Sequence, residues 1–199
     1  MPRSRLPTIV LALAALSLGA WAFNAGVRPD LFPKRFAEVE RGVLYRSGGL
    51  TPGAFERVVR AHGIRTVVDL GAFPPASRCD LRAQHAADAL GVERIRLDLR
   101  GDSRGDPNHY VRTLRVITDP ARQPVLVHCG AGTERTGCAV ALFRRVVQGW
   151  DAERAYAEAD EAGHSPSRNP ELAKTLERWS GPIAEAFRAG GVVPYAPDR

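Results

Sequence analysis

Residues 123–137 read QPVLVHCGAGTERTG. A short apolar strand ends at a cysteine, a loop with two glycines follows, and helical spacing begins at once. Such a strand–loop–helix junction fits a sheet whose strands are joined by helices, because parallel neighbours need a crossover. The rest of the chain keeps that alternation. GVLYRSG (42–48), IRTVVDLG (64–71) and VERIRLDL (92–99) read as strands. Helical spacing covers TPGAFERVVRAHG (51–63), with Thr51 as N-cap and Gly63 as stop, then 78–91, 108–119, about 135–148, 151–162 and 170–189. The fold class is therefore α/β, with a central, mostly parallel sheet flanked by helices. In such sheets the binding crevice lies beyond the carboxyl ends of the strands, which is where HCGAGTERTG falls.

Ahead of this unit, LPTIVLALAALSLGAWAF (6–23) is uncharged and follows Arg3 and Arg5. It reads as an N-terminal hydrophobic helix, either a membrane anchor or a signal segment with Ala20, Trp21 and Ala22 as the cleavage site. The expected organisation is an anchor or signal over 1–26, a linker over 27–35 in which Pro29 and Pro33 break regular structure, and a catalytic domain over 36–190. The expected location is the membrane, with a secreted or periplasmic protein as the alternative.

The net charge of +6 favours anionic partners. No nucleic-acid module or lysine block is visible, so nucleic acid is not among them. The three cysteines, Cys79, Cys129 and Cys138, fit neither a disulfide framework nor a zinc pattern. Cys138 reads as a small buried hydrophobe on a helix, and Cys79 as a free thiol, with redox partnership to Cys129 as the alternative.

A six-residue turn from strand to helix can converge its backbone N–H groups on one point, and the helix start adds its own free N–H groups and positive dipole end. Gly130 and Gly132 let that turn curl tightly. Arg135 can fork onto a tetrahedral oxyanion. Cys129 sits at the floor of this field, which favours its thiolate. The result is a nucleophile beneath a phosphate cradle.

HCGAGTERTG matches HCxxGxxR(S/T)G at every fixed position, and here the sequence resembles the cysteine-dependent protein tyrosine phosphatase superfamily in its dual-specificity-like bacterial branch. VLYRSGGL is similar to the YRSgqL stretch of many members, and GIRTVVDLG to their GIKTVINLR. Gly71 and Ala72 stand where the arginine usual after that strand is absent. The resemblance implies hydrolysis of phosphomonoesters through a phosphocysteine intermediate, with no cofactor or metal. Protein phosphotyrosine is the leading substrate, with dual specificity or a small phosphomonoester as variants.

In that reading Cys129 attacks phosphorus, while Arg135 and the amides of Gly130, Ala131, Gly132, Thr133, Glu134 and Arg135 hold the equatorial oxygens. Thr136 hydrogen-bonds the sulfur, and His128 braces the loop. The proton donor comes from LDLRGDSRGDP: Asp102 is the better match, Asp106 the alternative, and Asp98 reads as a structural carboxylate inside the strand. Arg46 and Ser47 are expected to pin the loop from beneath, and Asp69 to cap a turn or brace the site. His62, His85, His109 and His164 show no ligand spacing and read as surface or capping residues. Glu134 puts a carboxylate where phosphoinositide-specific relatives carry lysines, which argues against highly phosphorylated lipids.

Competing readings are a phosphoinositide or inositol phosphate phosphatase and a phosphate-binding pseudophosphatase module. A rhodanese-like sulfurtransferase lacks the Cys-x5-Arg-Thr spacing, and no GxxxxGK(S/T) or GxGxxG nucleotide loop is present.

Overall fold

The protein is described by a computed structural model over residues 6–196. Its five-stranded sheet has the order β1-β2-β5-β3-β4. The strands are β1 (Ala37–Glu40), β2 (Leu44–Ser47), β3 (Thr66–Asp69), β4 (Glu93–Arg96) and β5 (Val125–His128). β1 runs antiparallel to β2, and the other three pairings are parallel. β1 was absent from the sequence reading: AEVE carries a single buried residue and forms an exposed edge. β4 stops at Arg96, so Asp98 lies beyond the strand rather than within it.

The register explains where the site forms. Ser47 pairs with His128 on one side of β5, and Asp69 pairs with His128 on the other. The middle strand therefore delivers Cys129 between two parallel neighbours that end level with it. Val125, Leu126 and Val127 of β5 are fully buried, each such side chain stabilising the fold by about 1.5–3 kcal/mol. That rigid strand fixes the first residue of the loop.

α3 (Pro52–His62) starts at Thr51, whose Oγ1 accepts from Ala54 N at 3.2 Å, and stops at Gly63 in the left-handed region. α3 and α4 (Arg78–Ala89) cover one face over a cluster that includes Tyr45, Val58, Val67, Ala87 and Leu126. α5 (Pro107–Thr118), α6 (Glu134–Leu142), α7 (Ala152–Glu161) and α8 (Glu171–Ala189) cover the other over the larger cluster. The α6 helix continues as a π-helical turn over Phe143–Val147.

At the N-terminus, α1 (Leu6–Ala22), a π-helical turn (Phe23–Val27) and the short α2 (Arg28–Leu31) follow one another. The expected linker over 27–35 is therefore helical in its first part, as far as Leu31. Pro29 sits in the first turn of α2, where its missing N–H costs nothing. The hydrophobic segment is helical as expected, but the anchor does not stand: among the described residues no helix is long and apolar enough to cross a membrane. α1 has 17 residues, which at about 1.5 Å each reaches roughly 25 Å, short of the roughly 30 Å hydrocarbon core. Asn24, Arg28 and Asp30 then make the helical continuation polar. The membrane location, and the secreted or periplasmic alternative built on the same segment, are withdrawn.

Candidate active site

Cys129 leaves β5 buried, and the N–H of Gly132 donates to its Sγ at 3.2 Å. Gly132 has φ +80°, and a Cβ there would lie 2.6 Å from Gly48 N, so only glycine closes this turn. Thr133 is the N-cap of α6 without a side-chain cap hydrogen bond, so its hydroxyl does not occupy the free N–H groups of the first turn.

The carbonyls of the loop point outward, and each of three is held by a cation. Lys34 Nζ donates to Gly130 O at 3.0 Å, Arg35 Nη1 to Ala131 O at 3.0 Å, and Arg46 Nη2 to Gly132 O at 2.7 Å. Gly49 N also donates to Gly130 O at 3.1 Å. Turning successive carbonyls out turns the amides in, the arrangement that makes an anion nest. Arg46 was read as pinning the loop from beneath, and that is its position. Lys34 and Arg35 were missed: they lie 96 residues from their partners, and nothing local signals the contact.

The guanidinium of Arg135 is fixed through one nitrogen while another lacks a partner. Nη1 donates to Leu70 O at 2.8 Å and to Gly71 O, while Nε is buried without a hydrogen-bond partner. The hydroxyl of Thr136 is likewise buried and unpartnered, so its expected bond to the sulfur is not formed in this structure. His128 is turned to Asp69, with Nε2 3.8 Å from Oδ2. Burial pushes the imidazole pKa down, with Asp69 opposing it, so His128 is neutral near pH 7.

Asp69 is fully buried, taking Ala72 N–H on Oδ1 at 2.7 Å and Arg94 Nη2 on Oδ2 at 2.5 Å. Arg94 also reaches Asp80 at 2.5 Å, and Arg96 joins Asp80 at 2.6 Å to Asp98 at 2.5 Å. This chain of charges shapes the 70–77 connection that carries Arg135's carbonyl partners. Asp69 thus caps and braces, as expected.

The proton-donor candidates separate. Asp106 is the N-cap of α5, accepting from Asn108 N at 2.9 Å. Asp102 is gripped by Arg104 at 2.6 Å; burial opposes the shift, but the Arg104 guanidinium and amide hold its carboxyl below the usual range. Asp98 Oδ1 and Arg135 Nη1 each lie 3.1 Å from where a Cβ on Gly71 would sit, so Asp98 borders the arginine while its charge is spent on Arg96. Glu134 does not face the loop's centre: its carboxylate meets buried His164 Nδ1 at 2.7 Å, and His164 Nε2 meets Tyr156 Oη at 3.0 Å. The argument against lipid substrates drawn from Glu134 therefore lapses, and His164 is a core partner rather than a surface residue.

Cys138 is buried and its thiol is pushed up to about 12, chiefly by burial, as a core residue. Cys79 lies against the α3–α4 face, whereas the Cys129 side chain packs in the opposite cluster, so the two are not disposed as a redox pair.

A family described as "DSP-PTPase phosphatase fused to NAD+ Kinase" matches residues 33–175. Among curated relatives, the dual specificity protein phosphatase TpbA of Pseudomonas aeruginosa is 41% identical over 61 residues, 30% of this chain and 28% of that protein. The inositol diphosphatase DSP1 of Oryza sativa is 33% identical over 126 residues, 59% of this chain and 52% of that protein. The chain thus spans about half or less of the length of these relatives. Among solved structures, the catalytic domain of the Saccharomyces cerevisiae PP-IP phosphatase SIW14 aligns with TM-score 0.65 at 21% identity, over 79% of this chain and 92% of that one. P. aeruginosa TpbA aligns with TM-score 0.63 at 23% identity, over 78% and 91%; at such identities the likeness is one of fold. The matched span holds β1 to α6, the cysteine loop and its three outer cations, and on it the chain belongs to the DSP-PTPase phosphatase family within the cysteine-dependent dual-specificity phosphatase superfamily.

Proposed function

We propose that the chain hydrolyses phosphomonoesters through a phosphocysteine intermediate, with protein phosphotyrosine as its principal substrate. The observation that carries the reading is the state of Arg135: one nitrogen anchored on backbone carbonyls, and a buried Nε–H left without an acceptor. Buried donors are almost always paired, and a phosphoryl oxygen above Cys129 supplies the missing partner.

In the first step the Cys129 thiolate attacks phosphorus as the ester oxygen departs, and Asp102 gives that oxygen its proton. In the second, water attacks the phosphocysteine, Asp102 takes a proton from it, and the sulfur leaves as thiolate with Thr136 donating to it. The amides of Gly130 to Arg135 and the Arg135 guanidinium hold the three equatorial oxygens, whose charge persists through a loose transition state. Asp102 is preferred to Asp106, which is committed as a helix cap; Asp98 and Asp102 are each paired with an arginine, Arg96 and Arg104, and Asp102 is kept for its place in the loop past the strand. The catalytic unit is proposed over 36–190, with Lys34 and Arg35 adjoining it.

A second reading is an inositol phosphate phosphatase. It is favoured by relatives named as inositol diphosphatases and by the lapse of the Glu134 argument. The test is turnover of p-nitrophenyl phosphate by the full chain, expected to be insensitive to EDTA, sensitive to vanadate and abolished in Cys129→Ser. Activity that survives Cys129→Ser overturns the mechanism, and binding without turnover returns the pseudophosphatase reading. Phosphotyrosine peptides compared with inositol pyrophosphates then rank the two substrates.

A further inference from the structure

Strand alternation sends Ser47, His128 and Asp69 to the α3–α4 face, in one register row at the ends of β2, β5 and β3. There the two helices do not close over the sheet, and a cavity of about 200 Å³ opens beside the sheet edge of the site. Its walls are apolar, from Leu50, Phe55, Val67, Leu126, Phe73 and Ala86. Its polar lining is Ser47, Arg94 and His128, with Cys79 and Arg82 on α4.

Three hydrogen-bonding atoms of that lining have no partner: Ser47 Oγ, Arg94 Nε and His128 Nδ1. Ser47 is 0% exposed and the Arg94 side chain 5%, yet Ser47 Oγ and Arg94 Nε are unpaired among the described residues. The other two Arg94 nitrogens each have partners, Nη1 in Gln84 and Nη2 in Asp69 and Asp80. Buried donors of this kind call for an acceptor from outside the chain.

Charge and size narrow the occupant. Arg94 is already flanked by two carboxylates, so an added anion meets repulsion from Asp69 and Asp80, and a neutral acceptor does not. An apolar cavity of about 150 Å³ accepts benzene, so this one takes a single substituted ring.

We propose that this cavity is a binding site for a small neutral aromatic molecule carrying one hydrogen-bond acceptor, such as a carbonyl or ether oxygen, received by Ser47 Oγ–H and Arg94 Nε–H. The site is separate from the phosphate cradle but backs onto it. A Cβ placed on Gly49 would lie 3.6 Å from Phe73 Cζ, 3.6 Å from Gly130 O and 3.9 Å from Cys129 O. Phe73 is thus the wall shared by the cavity and the loop backbone, and an occupant that shifts it bears on the loop. The exposed thiol of Cys79 on the lining is a natural reporter.

The experiment is fluorine NMR on the full chain with para-fluoroacetophenone. Saturable binding is expected in the wild type and in Cys129→Ser alike. It should weaken at least tenfold in Ala86→Phe, which fills the cavity, or in Ala83→Leu should the first variant fail to fold. Bound probe should also slow alkylation of Cys79 in the Cys129→Ser background by threefold or more. Absence of saturable binding, or equal binding by wild type and the filled variant, overturns the site. Tighter binding of para-fluorobenzoate overturns the neutral assignment. None of these readouts uses phosphatase activity, so failure here and failure of the catalytic reading are distinct results.

Discussion

Arg35 donates from Nη1 to the carbonyl of Ala131 at 3.0 Å, and it does so from a left-handed backbone, φ +48°. A non-glycine residue in that region is held there by its surroundings at a cost of about 1–3 kcal/mol. Gly163 supports it from the far side: a Cβ there would meet Arg35 Nε at 3.0 Å. Arg35 thereby positions the loop backbone. Arg35→Met is expected to cut kcat/KM for p-nitrophenyl phosphate about tenfold, equivalent to about 1.4 kcal/mol. Arg35→Lys should recover part of the loss. Vanadate affinity should fall with kcat/KM, since both need inward amides; unchanged vanadate binding would remove the positioning role.

The grip of Arg104 on Asp102 gives a pH prediction with a definite sign. Arg104 holds the Asp102 carboxyl low, and a proton donor works only while protonated, so activity falls as pH rises through its pKa. Removing Arg104 raises that pKa, and the alkaline limb of kcat in Arg104→Met should move to higher pH. Asp102→Asn should lower kcat by about 10²–10⁴-fold, and Asp98→Asn by less than tenfold. The reverse order transfers the proton to Asp98.

Asp69 and Arg94 form a buried pair, with side-chain exposures of 0% and 5%. Arg94→Met strands the buried Asp69 carboxylate and should destabilise the fold by about 3–5 kcal/mol in urea or heat, whereas Asp69→Asn leaves Arg94 paired with Asp80 and should cost less. Burial alone would raise the Asp69 pKa, but His128 once protonated at acid pH, the Ala72 N–H and Arg94 outweigh it and hold it low. A depressed carboxyl contributes fully above its unfolded value, about pH 3.9, and loses that contribution as pH falls through its folded value. Acid unfolding of the wild type should therefore have a limb below about pH 4 that is weaker in Asp69→Asn.

What the sequence conveyed follows from the range of the interactions concerned. Cys129, Gly132, Thr133 and Arg135 sit on one turn set by neighbours in the chain, so a ten-residue string carries their geometry. Thr51 and Gly63 likewise bound α3 through local caps. Lys34 and Arg35 act across 96 residues, and their partners are main-chain carbonyls that any sequence possesses. α1 ends where the hydrogen bonding passes to a π-helical turn over Phe23–Val27, a change that residue type alone does not mark. Glu134 shows the same limit differently: its type was plain, but the direction of its carboxylate depends on His164, on the α7–α8 connection.

Gly71 accounts for the missing arginine in physical terms. It has φ +80°, and a Cβ on it would stand 3.1 Å from both Arg135 Nη1 and Asp98 Oδ1 and 3.4 Å from Leu99 O. Its own carbonyl, with that of Leu70, anchors Nη1 of Arg135, so a side chain here would press on the very group it is meant to hold. Gly71→Ala should cost about 1–2 kcal/mol of stability from the left-handed backbone alone. It should also lower kcat/KM by more than that loss of folded protein explains, because Arg135 must give way. Measured at a temperature where both proteins are fully folded, kcat/KM should fall at least fivefold. Equal activity under those conditions would mean that the Leu70 and Gly71 carbonyls do not set the position of Arg135.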